Sequence, residues 1–114
     1  MGSQSETISF PVPLLGIAAY SGNGKTTLLL ELLPRLKAAG LSIAVVKHAH
    51  HSFDMDHPGK DSYRLRAAGA DEMLVAARCR IGWIRECDEQ QGEPSLRQAL
   101  AVLDPSRLDL VLVE

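Results

Sequence analysis

An α/β fold with a mostly parallel sheet flanked by helices is the architecture that the sequence predicts, and three observations carry it. Short apolar runs at Leu14–Ala19 (LLGIAA), Ser42–Lys47 (SIAVVK) and Leu108–Val113 (LDLVLV) have the length and composition of buried strands. A leucine-rich stretch with helical spacing separates the first two. The 114-residue chain is 46% hydrophobic but only 4% aromatic, so its core must be built from Leu, Val, Ile and Ala, as in helix-covered parallel sheets.

Each element has local support. From Lys25 to Ala39, Leu28, Leu29, Leu32, Leu33 and Leu36 recur at helical spacing, and Gly40 supplies the stop. Pro34 falls inside this pattern and predicts a kink or a weak turn. His48–Lys60 is polar and closes on Pro58-Gly59, which reads as a loop. Asp61–Ala68 reads as a helix that Asp61 or Ser62 can cap, closed by Gly69. Met73–Ala77 and Arg80–Arg85 read as two strands forming a hairpin or successive edge strands. Glu93-Pro94-Ser95 opens a helix running to about Leu103, with Pro105 beyond it. Strands alternating with helices imply right-handed crossovers. Residues 1–12 read as a flexible lead and 13–114 as one domain, because a chain of this size buries a single core.

Composition narrows the function. A net charge of −2 gives no general attraction to nucleic acid or anionic membrane surfaces. No apolar run approaches the roughly 20 residues of a membrane helix. Cys79 and Cys87 lack CxxC spacing and read as reduced thiols of a cytoplasmic protein.

The chemistry concentrates at AYSGNGKTT, Ala19–Thr27, which fits the phosphate-loop pattern GxxxxGK[ST] with Ala19 in place of the first glycine. A buried strand precedes it and an amphipathic helix follows. Gly22 and Gly24 let consecutive backbone N–H groups converge on one point, and the helix start adds its positive dipole end. Ser21 and Asn23 lie within that turn, and Thr27 just inside the helix. Lys25 brings a full positive charge to the outer phosphates of a nucleotide, and Thr26 offers a hydroxyl to Mg²⁺. An ordinary strand-to-helix turn is the plainer alternative.

All four histidines, His48, His50, His51 and His57, fall in the second loop with Asp54, Asp56 and Asp61. Loops at the carboxyl ends of parallel strands line the ligand crevice, so this loop is expected to face the phosphate loop. Three uses stay open: acids holding Mg²⁺ or its waters with Lys60 and a histidine on phosphate or a partner; a transition-metal site from His50, His51 and an acid; or a solvated loop without chemistry. Glu114 closes the last apolar strand, where an acid can orient Mg²⁺ or its water, although many strands end in a charge.

AYSGNGKTTLL, KHAHHSFDMDHPGKDSYRLRAAGA and LDLVLVE together resemble the molybdopterin-guanine dinucleotide biosynthesis protein B (MobB) family, from about Leu14 onward. The resemblance implies a P-loop nucleoside-triphosphate hydrolase fold and a homodimer that binds GTP with Mg²⁺ and hydrolyses it slowly. It also implies assistance to the nucleotidyltransferase that makes molybdopterin guanine dinucleotide. By motif it assigns Ser21, Gly22, Asn23, Gly24, Lys25, Thr26 and Thr27 to phosphate and metal. His50, His51, Asp56, Lys60 and Asp61 fall to a second motif, and Glu114 to the acidic strand end. Lys25, Asp56 and Glu114 are then the catalytic candidates, and Thr26, Asp56 and Glu114 the metal ligands. Arg64 and Arg66 are arginine-finger candidates only across a dimer.

Family chains continue beyond this acid, and no [NT]KxD guanine-reading motif is present. The expectation is a fold whose C-terminal part is missing, with an apolar edge and face left to self-associate. A P-loop small-molecule kinase and a nickel or zinc metallochaperone are the alternative functions.

Overall fold

The computed structural model describes residues 8–17, 24–47, 60–88, 90 and 92–114. They fall into two compact units, one formed by residues 1–48 and 95–114 and the other by residues 49–94.

In the first unit, β1 (Leu14–Gly16), β2 (Ile43–Val46) and β5 (Leu110–Val113) form a parallel sheet in the order β1-β5-β2. The register sets Leu15 and Val45 on either side of Leu112, and Leu14 and Ala44 on either side of Val111. Laterally paired residues project to the same face and successive residues to opposite faces. Leu112 and Val111, both 0% exposed, therefore mark a central strand covered on both sides. Among the described residues, Leu29 and Leu100 are the other buried apolar side chains of this unit. Both edges of the final strand are paired, because β5 enters between the two earlier strands, so the edges of this sheet are β1 and β2. Exposed apolar side chains lie on its neighbours, at Leu15 and Val45.

Helix α1 (Lys25–Ala38) begins after Gly24, whose φ of 87° is a left-handed conformation that glycine adopts without penalty. It buries Leu29 and half-buries Leu32, Leu33 and Leu36, while Leu28, expected on that face, is exposed. The helix runs on through Pro34, so the expected break does not occur. Proline denies the Leu30 carbonyl its helical partner, and Leu30, 67% exposed, lies where water can serve instead. At the far end Leu41 N–H reaches the Leu36 carbonyl and Gly40 N–H the Lys37 carbonyl, a Schellman closure with Gly40 at φ 86°.

Helix α3 (Leu96–Leu100) is shorter than the sequence suggests. Ser95 Oγ accepts from Gln98 N–H, and the Gln98 side chain accepts from Ser95 N–H, a reciprocal capping box. The chain then passes through a 3-10 turn at Pro105–Arg107, opened by Asp104 accepting from Ser106 N–H. β5 starts at Leu110 rather than Leu108 because Asp109 is a bracket: its carboxylate accepts Ser42 N–H at 2.8 Å and its own N–H donates to the Ser42 carbonyl.

In the second unit, α2 (Asp61–Ala67) packs against β3 (Glu72–Ala77), which pairs antiparallel with β4 (Arg80–Arg85). These strands form a separate two-stranded sheet, so the hairpin is confirmed and the edge-strand alternative discarded. The cap of α2 is Lys60, in extended backbone and without a side-chain bond, not Asp61 or Ser62. Asp61 occupies the first helical position, where a carboxylate meets the positive dipole end. Arg66, with a side chain 9% exposed, ties α2 to the end of β4 through Glu86 Oε1 at 2.6 Å.

Candidate functional site

The carboxyl ends of β1 and β5 and the start of α1 bring two of the candidates together. Thr26, in the first turn of α1, donates from Oγ1 to Glu114 Oε1 at 3.4 Å, although 88 positions separate them in sequence. Thr26 is exposed and Glu114 half-buried, so the pair is open to solvent and to a ligand. At that length the hydrogen bond itself is weak. The juxtaposition is what matters.

Backbone contacts hold Glu114. The Val113 carbonyl accepts from Ile17 N–H at 2.8 Å, and Glu114 N–H donates to the Val46 carbonyl at 2.8 Å. The peptide immediately before the acid is thus gripped by the exits of β1 and β2. No side-chain pattern announces such a grip, and Ile17 and Val46 were not among the sequence candidates. Gly24 sets the entry to α1: its carbonyl accepts from Leu28 N–H at 2.9 Å, and no side chain caps the helix. The first turn of α1 also carries no acid. Its N–H groups and positive dipole end therefore meet no carboxylate within that turn.

Hydroxyl and carboxylate oxygens are the hard donors that Mg²⁺ prefers. Adjacent corners of an octahedron with bonds of about 2.1 Å lie about 3 Å apart, close to the observed separation. The Thr26 hydroxyl and the Glu114 carboxylate therefore fit the donor chemistry of a magnesium ion.

The remaining candidates divide as follows. Thr27 is exposed in the first turn of α1, and Lys25 opens that helix. Ser21, Gly22, Asn23, His50, His51 and Asp56, together with His48, Asp54 and His57, lie outside the described residues, as does the Lys25 side chain. Lys60 and Asp61 stand at the start of α2 in the second unit. Arg66, considered as an arginine finger, is committed to Glu86 and stacks near the Tyr63 ring at 5.7 Å, whereas Arg64 is exposed. Among the described residues no group of three or more His, Cys, Asp or Glu is placed to hold a metal ion. No described helix is long and apolar enough to cross a membrane.

The sequence profile of Molybdopterin guanine dinucleotide synthesis protein B, MobB, matches residues 14–114. The molybdopterin-guanine dinucleotide biosynthesis adapter protein of Escherichia coli K12 is 48% identical over 103 residues, which cover 90% of this chain and 58% of the relative. The Haemophilus influenzae protein of the same name is 42% identical, covering 90% of this chain and 56% of the relative. A crystal structure of molybdopterin-guanine biosynthesis protein B superposes with a TM-score of 0.61 at 30% identity, covering 90% of this chain and 58% of that one. The chain thus spans rather more than half the length of each of these three proteins. With its phosphate-loop motif, parallel sheet and strand-end acid it has the P-loop fold of these proteins, and it belongs to the MobB family.

Proposed function

We propose that this chain is the nucleotide-binding part of an adapter for molybdopterin guanine dinucleotide synthesis, binding GTP with Mg²⁺ and hydrolysing it weakly. The observation that carries this reading is Thr26 Oγ1 beside Glu114 Oε1 at the Gly24-initiated start of α1. The names of the curated relatives supply the adapter role.

In this reading the backbone N–H groups of Ser21–Gly24 and the start of α1 hold the phosphates, with Lys25 supplying charge at the outer ones. Thr26 and Glu114 hold the magnesium ion, whose chemistry is to neutralise charge on the phosphate oxygens. Lys25, with Asp56 as a water-orienting acid, acts by position and charge, and phosphoryl transfer needs little else from a protein. His50, His51, Lys60 and Asp61 form the second phosphate- or partner-contacting segment. With Arg66 engaged by Glu86, Arg64 is the remaining arginine-finger candidate of that pair, and only across a dimer. The protein works in the cytoplasm as a homodimer beside the molybdopterin-guanine nucleotidyltransferase.

Calorimetric titration with GTP and Mg²⁺, with ATP in competition, tests this reading. Stoichiometric GTP binding that needs Mg²⁺ and is lost in Lys25→Ala supports it. Binding indifferent to Lys25 and to the metal refutes it.

A further inference from the structure

The two strands that lead to Glu114 and pair beside it are almost featureless. β2 and β5 run in parallel from Ile43↔Leu110 to Val46↔Val113, aliphatic against aliphatic at every rung. A strand shifted by two residues keeps every side chain on its own face. Burial alone therefore hardly separates the observed register from one slipped by two. At Glu114 the difference is decisive. A two-residue slip carries its carboxylate about 6.6 Å along the strand, roughly twice the 3.4 Å that separates it from Thr26 Oγ1. One polar contact is particular to the observed register. Asp109 Oδ2 accepts Ser42 N–H at 2.8 Å, while the Ser42 carbonyl accepts from Asp109 N–H at 2.8 Å and from Leu110 N–H at 3.3 Å. The residues two places to either side, Arg107 and Val111, have no side-chain acceptor to offer Ser42 N–H. Both halves of the bracket are themselves tethered: Ser42 follows the Gly40 closure of α1, and Asp109 follows the 3-10 turn at Pro105–Arg107.

We infer that Asp109 is a positioning residue for the proposed metal site: its carboxylate fixes the register of β5 against β2 and so keeps Glu114 beside Thr26. The inference rests on the GTP and magnesium reading above and adds a residue to it. Asp109 acts through geometry and not through its charge. Five residues of extended strand put it roughly 16 Å from Glu114, about two Debye lengths at physiological salt. Asparagine offers Ser42 N–H an equivalent acceptor without the charge, and so preserves the bracket. Alanine offers none.

The test titrates GTP into the full chain and into Asp109→Ala, Asp109→Asn, Glu114→Gln and Asp109→Ala/Glu114→Gln, each with Mg²⁺ and in EDTA. Urea unfolding of each protein without nucleotide reports stability separately. Asp109→Ala is expected to weaken GTP binding about tenfold in Mg²⁺ and hardly at all in EDTA. Asp109→Asn keeps wild-type affinity. On top of Glu114→Gln, Asp109→Ala adds little further loss, because no carboxylate remains there to misplace. Where Asp109→Ala does not stay folded, Asp109→Glu carries the same expectation, since it keeps the charge but moves the acceptor by one methylene. A lower urea midpoint with GTP affinity unchanged in both buffers marks a merely structural role and overturns the inference. So does a loss in Asp109→Asn equal to that in Asp109→Ala, or a full tenfold loss on top of Glu114→Gln. A wild-type chain whose GTP affinity ignores Mg²⁺ refutes the metal-site reading itself, and the positioning role falls with it.

Discussion

Replacing Glu114 by Gln keeps the shape of the side chain and removes its charge, and replacing Thr26 by Val keeps the branched shape and removes the hydroxyl. Together they form a double-mutant cycle across the 3.4 Å contact. Without nucleotide, that long and solvent-reached hydrogen bond contributes no more than about 0.5 kcal/mol, so neither change should disturb stability measurably. If Thr26 and Glu114 hold the metal as proposed, each change removes a ligand of a divalent cation when Mg²⁺ and GTP are bound. An interaction with a charged group is worth about 1.5–3 kcal/mol, or roughly ten- to hundredfold in Kd for each variant. Because both oxygens serve one ion, the losses should not add: a coupling of about 1 kcal/mol or more is expected with Mg²⁺, and near zero in EDTA. Calorimetric titration of the four proteins in both buffers reads this directly. Additive losses, or equal losses with and without metal, would refute the shared-ion reasoning.

Other expectations follow from packing and backbone. Leu112→Ala empties a fully buried site on the central strand and should cost about 2–5 kcal/mol in urea unfolding. Gly24→Ala meets no atom within 4 Å, so its cost of about 1 kcal/mol comes from the left-handed φ alone, visible as a lower unfolding midpoint. Pro34→Ala restores a donor for the Leu30 carbonyl and should raise stability by about 1–3 kcal/mol, since a proline inside a helix costs about 3. Asp104 is held below its ordinary pKa first by the Ser106 hydroxyl and then by the Ser106 N–H, with Arg107 adding to the effect. Its depressed folded value gives stability that is present above its unfolded pKa and lost as pH falls through the folded one. Asp104→Asn should therefore flatten the acid limb of a stability–pH curve measured by urea unfolding.

Local chemistry made some elements readable and left others opaque. The ends of α1 were legible because glycines stand at both, Gly24 entering and Gly40 closing with left-handed φ. The hairpin was legible from two β-rich runs separated by two residues, although no described non-glycine residue has positive φ, so its turn is not of the primed types usual there. The start of α3 was written in the Ser95–Gln98 box, but nothing after Leu100 marks a stop, and the helix ends a turn early. What could not be read was strand order. Parallel pairing leaves no local trace, so that Leu14–Gly16 and Ile43–Val46 both flank Leu110–Val113 emerges only in three dimensions. For the site, Thr26 and Glu114 were nameable from motif alone, whereas the grip of Ile17 and Val46 on the peptide before Glu114 involves no side chain and was invisible.

That grip bears on why the acid stands at the end of this strand and not of another. A carboxylate on an edge strand has backbone support from one side and can swing with that edge. Glu114 follows the central strand, and its preceding peptide is bonded to β1 through its carbonyl and to β2 through its N–H. The acid is thus fixed relative to the exits of both strands by backbone hydrogen bonds that any side chain but proline at position 17, and any at Val46, would leave intact. Substitutions there should spare the geometry of Glu114 unless they disturb packing. An extra or missing residue in either strand would shift the register and carry the carboxylate away from Thr26.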